Sequence, residues 1–383
     1  MKQVYLDYAA TTPQSIEVAK AMKPYSGKFY GNASSLHQFG QRAHEAVEMS
    51  RQNIAKFFNC FAAEVFFTGS ATEADNLAIL GVIKNSKYHV VTSIIEHPAV
   101  LEPIKHLEKL GEIEATYLSV DKNGLITPEQ VEKAIRPNTV LISIMYANNE
   151  IGVIQPIAEI GKTIKAVNQK IIFHTDAVQA ANYLDCDVQK LGVDLLTLSG
   201  HKIYGPKGVG ALYVKKGVAI EPIMFGGHQE QGLRPGTENV AAIAGLGEAI
   251  EQIKNEKRKM KNLEKLRDRL ADGILKNIPK TSLNGSRDHR LPNNANISFA
   301  GVEGESILMA LDQKGIAVST GSACASGSLE PSHVLMALGL SHQQAHGSIR
   351  FSLGKYTTQE EINYTLKVLP DIIKRLRAIS PLK

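Results

Sequence analysis

A chain of 383 residues with 43% apolar side chains exceeds what one hydrophobic core usually holds, so two domains, or one large α/β domain with an appended lobe, are expected. Its 43 basic against 38 acidic side chains give a net charge of +5 and a pI near 8.8, too mild and too dispersed for a nucleic-acid stripe. No uninterrupted apolar run of about 20 residues occurs, and Met1-Lys2-Gln3-Val4-Tyr5-Leu6-Asp7 leads into folded-looking sequence without an apolar signal core. The expectation is a soluble, cytoplasmic protein with no membrane partner and no direct nucleic-acid partner.

In chain order, apolar strand-like runs at 65–68, 88–92, 140–144, 171–174 and 195–198 alternate with amphipathic helical stretches, the first of them starting at Glu73. Such alternation implies βαβ units and a largely parallel sheet covered by helices. Over 243–278 the spacing predicts one long helix dense in Lys, Glu and Arg, an interdomain connector with a solvated face. Residues 295–299, 316–319 and 348–352 then read as strands of a smaller α+β lobe, closed by a helix from about Glu360 to Leu376.

The chemistry-bearing residues stand at the ends of these runs. Lys202 follows an apolar strand in the glycine-broken turn Ser199-Gly200-His201-Lys202-Ile203-Tyr204-Gly205. An ε-amine whose pKa is lowered by a cation or an apolar wall is a nucleophile near neutral pH, and pyridoxal 5′-phosphate is the aldehyde it usually holds as a Schiff base. Upstream, Ile172-Phe173-His174-Thr175-Asp176 ends in a carboxylate suited to keeping a pyridine nitrogen protonated. Taken singly, Asp176 reads as a helix N-cap and Lys202 as a surface lysine; together, in this order, they favour the cofactor.

Thr68-Gly69-Ser70-Ala71-Thr72-Glu73 is a cradle for the phosphate at a helix N-terminus, though in isolation it is an ordinary capped helix start. His97 is flat and titrates near neutral pH, fit for stacking and proton transfer, against the default of a satisfied loop histidine. Arg350 offers a guanidinium fork for an amino-acid carboxylate, against the default of a salt bridge. Three cysteines are too few and too scattered for a disulfide framework or a CxxC metal site. Cys324 lies in Ser319-Thr320-Gly321-Ser322-Ala323-Cys324-Ala325-Ser326-Gly327-Ser328, a composition that predicts an exposed, mobile loop (about 319–333) and a thiol open to reagents. Cys60, in an apolar setting, and Cys186, between Asp185 and Asp187, read as bystanders.

The segments Tyr5-Leu6-Asp7-Tyr8-Ala9-Ala10-Thr11-Thr12-Pro13, Gly31-Asn32-Ala33-Ser34-Ser35-Leu36-His37, Thr68 to Asn76, Arg234-Pro235-Gly236-Thr237-Glu238-Asn239 and Ser322-Ala323-Cys324 resemble the NifS/IscS-type cysteine desulfurases, up to Arg350-Phe351-Ser352-Leu353-Gly354. The resemblance implies the fold type I pyridoxal-phosphate architecture. A large domain, 15–255, would carry a mainly parallel seven-stranded sheet, with a small α+β domain from 1–14 and 256–383, in a homodimer. It assigns cofactor contacts to Ala71, Thr72, His97, Asn148, Asp176, Gln179, Ser199, His201 and Lys202, with Thr237 reaching the phosphate of the neighbouring subunit. Substrate contacts fall to Asn32, Asn148 and Arg350, and catalysis to Lys202, His97 and Cys324.

The reaction so implied converts L-cysteine to L-alanine and leaves the sulfur on Cys324 as a persulfide, for an iron–sulfur scaffold or a tRNA-thiolating enzyme. No metal is expected in the isolated enzyme; Cys324 is the candidate for a transient iron–sulfur ligand in a complex. The loop resembles the NifS/IscS group rather than the SufS group. The chain stops soon after its last helix, at Pro381-Leu382-Lys383, without the longer C-terminal extension of housekeeping members, which leaves the acceptor open. The rivals are another activity on the same cofactor, such as selenocysteine lyase or an aminotransferase, and a non-catalytic adaptor, which intact Lys202, Asp176 and His97 argue against.

Overall fold

Seven strands form the central sheet, in the spatial order Val65–Thr68, Gly210–Val214, Leu195–Ser199, Ile172–Asp176, Thr139–Ser143, Tyr88–Ser93 and Ile113–Leu118. The computed structural model that shows them describes residues 3–83, 87–254, 257–320 and 330–381. Gly210–Val214 runs antiparallel to both neighbours and every other pairing is parallel, so the sheet is mainly parallel as expected. Successive residues of one strand feed opposite faces. Val91, Ile142 and Leu196 join one apolar cluster with Ile160 and Leu246, while Val90, Leu141 and Leu195 join another with Leu77 and Ile104. Because helices cover both faces, most of the strands are buried and rich in apolar residues.

A second unit is built on a four-stranded antiparallel sheet, ordered Ser319–Thr320, Ser348–Ser352, Asn294–Phe299 and Thr281–Leu283. Its core joins Phe299, Ile349 and Phe351 to Leu270, Ile362 and Leu369 from the flanking helices, and takes in Val4 and Leu6 from the chain start. Val4–Tyr5 pairs in parallel with Ile316–Ala317. The strand expected over 316–319 is therefore two pieces, since Ser319–Thr320 pairs instead with Ser348–Ser352.

The helical stretch expected over 243–278 is described as Val240–Lys254 and Lys257–Asn277, with 255–256 outside the described residues. Each serves a different core: Leu246 and Ile250 pack on the large sheet, Leu263, Leu266 and Leu270 on the small one. The closing helix, Gln359–Ile379, starts from a capping box between Thr358 and Glu361. Among the described residues no helix is long and apolar enough to cross a membrane.

Candidate active site

The parallel strands deliver their last residues to one cavity of about 520 Å³. Val65–Thr68 runs out into Gly69, and Ser70 caps the helix Ala71–Leu80 by accepting the Glu73 N–H at 3.1 Å. That turn brings Ser70, Ala71 and Thr72 into the wall. Gly210 makes the approach possible, since a Cβ there would sit 2.8 Å from the carbonyl carbon of Ser70. Asp176 closes its strand on a second side, with Gln179 just beyond it. Ser199 ends Leu195–Ser199, and one 3₁₀ turn, Gly200–Lys202, aims His201 and Lys202 into the same space. His97 enters as the N-cap of Pro98–Lys109, and Arg350 from the small sheet.

The segment at 9–12 locks the lysine turn in place. Lys202 Nζ donates to the carbonyls of Ala9 at 2.6 Å and Ala10 at 2.7 Å, and Gln179 Nε2 donates to the Ala9 carbonyl at 3.0 Å. Thr12 donates its N–H and its hydroxyl to the His201 carbonyl, at 2.9 and 2.8 Å. The hydroxyl in turn accepts the Tyr204 N–H at 2.8 Å. Tyr204 is left-handed, with φ of 63°, a conformation that costs a bulky residue about 1–2 kcal/mol and that these bonds hold.

Burial dominates the electrostatics. It raises the Asp176 carboxyl to about 6, against the pull of the Val178 N–H on Oδ1 at 2.8 Å and of the Lys202 cation. Asp75, also on the wall and 1% exposed, is raised well above the carboxylate range by burial and by Asp176. His97 is lowered to about 4 by burial, then by Lys202 and His333; its Nδ1 accepts the Ala99 N–H at 3.1 Å and so carries no proton. His201 is lowered to about 4 by burial, then by Lys202 and Lys207.

His97 therefore folds as a neutral ring, whereas in the unfolded chain it titrates near 6.5. The unfolded state binds the extra proton between these values, so this contribution to stability is complete above pH 6.5 and is lost as pH falls through 4. We expect acidification from pH 7 to pH 5 to remove about 2 kcal/mol through His97 alone. Urea unfolding at the two pH values checks this: His97→Asn, which keeps a capping oxygen, should lose that much less than the wild type, and an equal loss would refute it.

Arg350, 1% exposed, donates Nη2 to Asp7 Oδ1 at 2.9 Å and Nη1 to the Asn149 carbonyl at 3.0 Å, while its buried Nε has no hydrogen-bond partner. The guanidinium therefore keeps one unsatisfied N–H, at a buried atom on the cavity wall. Ala71, Thr72, His97, Asp176, Gln179, Ser199, His201, Lys202 and Arg350 all line the cavity.

Asn148 does not. Its Oδ1 accepts the N–H groups of Glu150 and Ile151 at 2.8 and 2.9 Å, and its Nδ2 donates to the Ile95 carbonyl at 2.9 Å, so the fully buried amide organises the turn. The next residue, Asn149, stands on the wall in its place. Asn32 is exposed and lies outside the cavity, its Oδ1 accepting the Ser34 N–H at 2.9 Å. Thr237 is also exposed and outside the cavity of its own chain. Cys324 lies outside the described residues. The described flanks of its segment do meet the site: Ser319 pairs with Arg350, the Ser332 hydroxyl donates to the Glu150 carboxylate, and His333 Nε2 donates to the Glu96 carbonyl. Of the other cysteines, Cys60 is pushed up to about 12 by burial and Glu64, and buried Cys186 higher still by burial and Asp185.

A lysine, a buried carboxylate and a helix N-terminus around one cavity at strand ends define the class, and the sequence model of the Aminotransferase class-V family matches residues 4–365. A Dictyoglomus turgidum protein described as cysteine desulfurase IscS is 53% identical, over 100% of this chain and 97% of its own length. Its Methanosarcina thermophila counterpart is 50% identical over 100% and 94%. Among solved structures, a NifS-like protein superposes with a TM-score of 0.92 at 37% identity, covering 98% of this chain and 100% of the other. SspA in complex with cysteine does so at 0.82 and 38%, covering 93% and 100%. The chain belongs to the class-V aminotransferase family, among its NifS/IscS-type cysteine desulfurases.

Proposed function

We propose that the protein is a pyridoxal 5′-phosphate-dependent cysteine desulfurase that converts L-cysteine to L-alanine and keeps the sulfur on Cys324. The observation that carries the reading is the convergence of Lys202, Asp176 and Arg350 on one cavity beside the N-terminus of Ala71–Leu80. The donor set fits the cofactor: an amine for its aldehyde, a carboxylate for its ring nitrogen, and the Ala71 and Thr72 N–H groups with Ser199 and His201 for its phosphate. When bound, the cofactor withdraws electrons from the substrate Cα through its protonated ring.

The chain's own groups do the rest. Asp176 keeps the proton on the ring nitrogen, and Arg350, a cation on the cavity wall with Asn149 beside it, holds the substrate carboxylate. Lys202, with neutral His97 across the cavity, removes the Cα proton and returns one. The thiolate of Cys324 attacks the substrate sulfur. A sulfur–sulfur bond forms, the carbon–sulfur bond breaks with its electron pair remaining on the substrate, and that carbon takes up a proton to end as alanine.

Thr237, exposed and away from its own cavity, suits a contact with the phosphate held by a second copy, in a homodimer. We read 15–255 as the large domain, 1–14 with 256–383 as the small one, the cytoplasm as the compartment, and an iron–sulfur scaffold or a tRNA-thiolating enzyme as the sulfur acceptor.

Alanine released from L-cysteine in the presence of a thiol reductant tests the reading. The wild type should make it, and Cys324→Ala should be slower by a factor on the order of 100 or more while still binding the cofactor. No alanine from the wild type would remove the assignment; full activity in the variant would move it to a reaction that does not use Cys324.

A further inference from the structure

A phosphate monoester carries about −1.5 to −2 charges at pH 7, and a helix N-terminus supplies only about half a positive charge. The neutral donors of the cradle add none: Ser199 is a hydroxyl, and His201 is lowered to about 4 and so uncharged. The remaining cations around the cavity are committed. Lys202 is held by the Ala9 and Ala10 carbonyls and reserved for the aldehyde, Arg350 is paired with Asp7, and Arg234, behind the cradle, is paired with Glu73 at 2.8 Å.

Lys207 is the exception. It lines the same cavity, its side chain is exposed, and among the described residues it makes no ion pair. Its turn leads directly into the strand Gly210–Val214, whose first residue abuts Ser70 at the lip of the cradle, and its charge is felt at His201. Gly208, with φ of 76° and open space around its Cα, keeps that turn clear of side chains on the same wall.

We propose that Lys207 is a phosphate-binding residue of the cofactor site, supplying the cradle with the full positive charge that the other ligands lack. This rests on the reading of the cavity as a pyridoxal 5′-phosphate site, and the test separates the two. Full-length protein, stripped of aldehyde, is titrated with pyridoxal 5′-phosphate and with pyridoxal, and binding is followed by absorbance. Lys202 condenses with either aldehyde with loss of one water, so that bond cancels in the comparison.

Lys207→Gln should weaken binding of pyridoxal 5′-phosphate about tenfold and leave pyridoxal within about twofold, and Lys207→Arg should restore the phosphate form. Salt should narrow the wild type's preference for the phosphate form and have less effect on the Gln variant. Equal weakening of both aldehydes, or of neither, would overturn the assignment of Lys207. A wild type that captures neither aldehyde would instead overturn the cofactor reading on which it rests.

Discussion

A Lys202→Ala variant is expected to convert L-cysteine to L-alanine at least about 10⁴-fold more slowly than the wild type, because the substitution removes the amine for the cofactor aldehyde and the proton carrier at Cα together. Proton transfer by a placed side chain accounts for up to about four decades on its own. The fold should survive. Lys202 is half-buried, and its loss uncovers the carbonyls of Ala9, still bonded by Gln179, and of Ala10, at a cost of about 1 kcal/mol. Lys202→Arg keeps the charge but not the nucleophile and should not rescue. A small primary amine diffusing into the vacated space should restore part of the rate to Lys202→Ala and none to the wild type. Retention of a tenth of the activity in Lys202→Ala would eliminate the lysine from both roles.

The second large effect is on stability and lies outside the cavity. Arg51, on the helix Gln38–Phe58, meets Glu230 through two hydrogen bonds at 2.7 and 2.8 Å, donates to the Val65 carbonyl at 2.6 Å and lies over the Phe67 ring, 4.8 Å from its centre. Glu230 also accepts the Phe67 N–H at 2.8 Å, and both partners are largely out of water. The pair thus ties the strand Val65–Thr68, which leads into the cradle, to a turn where Glu230 and Gln231 are both left-handed, at φ of 49° and 58°.

Arg51→Met leaves the Glu230 carboxylate buried without its cation, and we expect it to cost about 3–5 kcal/mol in urea unfolding. Removing both charges, as Arg51→Met with Glu230→Met, should recover most of that loss, because the penalty belongs to the orphaned charge rather than to the pair. A double variant as unstable as Arg51→Met would show that the geometry at 229–232, and not the charge, is the source.

The strands that lead to Asp176 and Lys202 were legible because both sheet faces are covered, so that Ile172–Asp176 opens on apolar residues and Leu195–Ser199 is apolar but for Thr197 and Ser199. Two strands left no such trace. Ile113–Leu118 is the edge of the sheet and exposes Glu114, so its apolar pattern is broken, and Gly210–Val214 opens on the small residues that let it pass Ser70. The choice between Asn148 and Asn149 was equally hidden: they are neighbours in a tight turn, where no period says which residue lines the cavity and which has its amide consumed by the turn's own N–H groups. The grip on Lys202 comes from main-chain carbonyls of Ala9 and Ala10, and a carbonyl has no letter in the sequence. Lys207, three residues before the strand Gly210–Val214 in a glycine-rich turn, carried only the signal of an exposed lysine.

The pairing of Val4–Tyr5 with Ile316–Ala317 has a consequence for how the protein is made. The residues that grip Lys202 lie just after the first strand of the chain, and that strand's partner is synthesised more than 300 residues later. At about 5–20 residues per second, roughly 15–60 s separate translation of Val4 from that of Ile316. During that interval the ribosome-bound chain can complete the large sheet and the bonds of 9–12 to 179 and 201–204, but it holds an N-terminal strand with its edge open. Closure of the N-terminal strand is thus a late assembly step, and a delay there exposes an unpaired edge to other nascent chains.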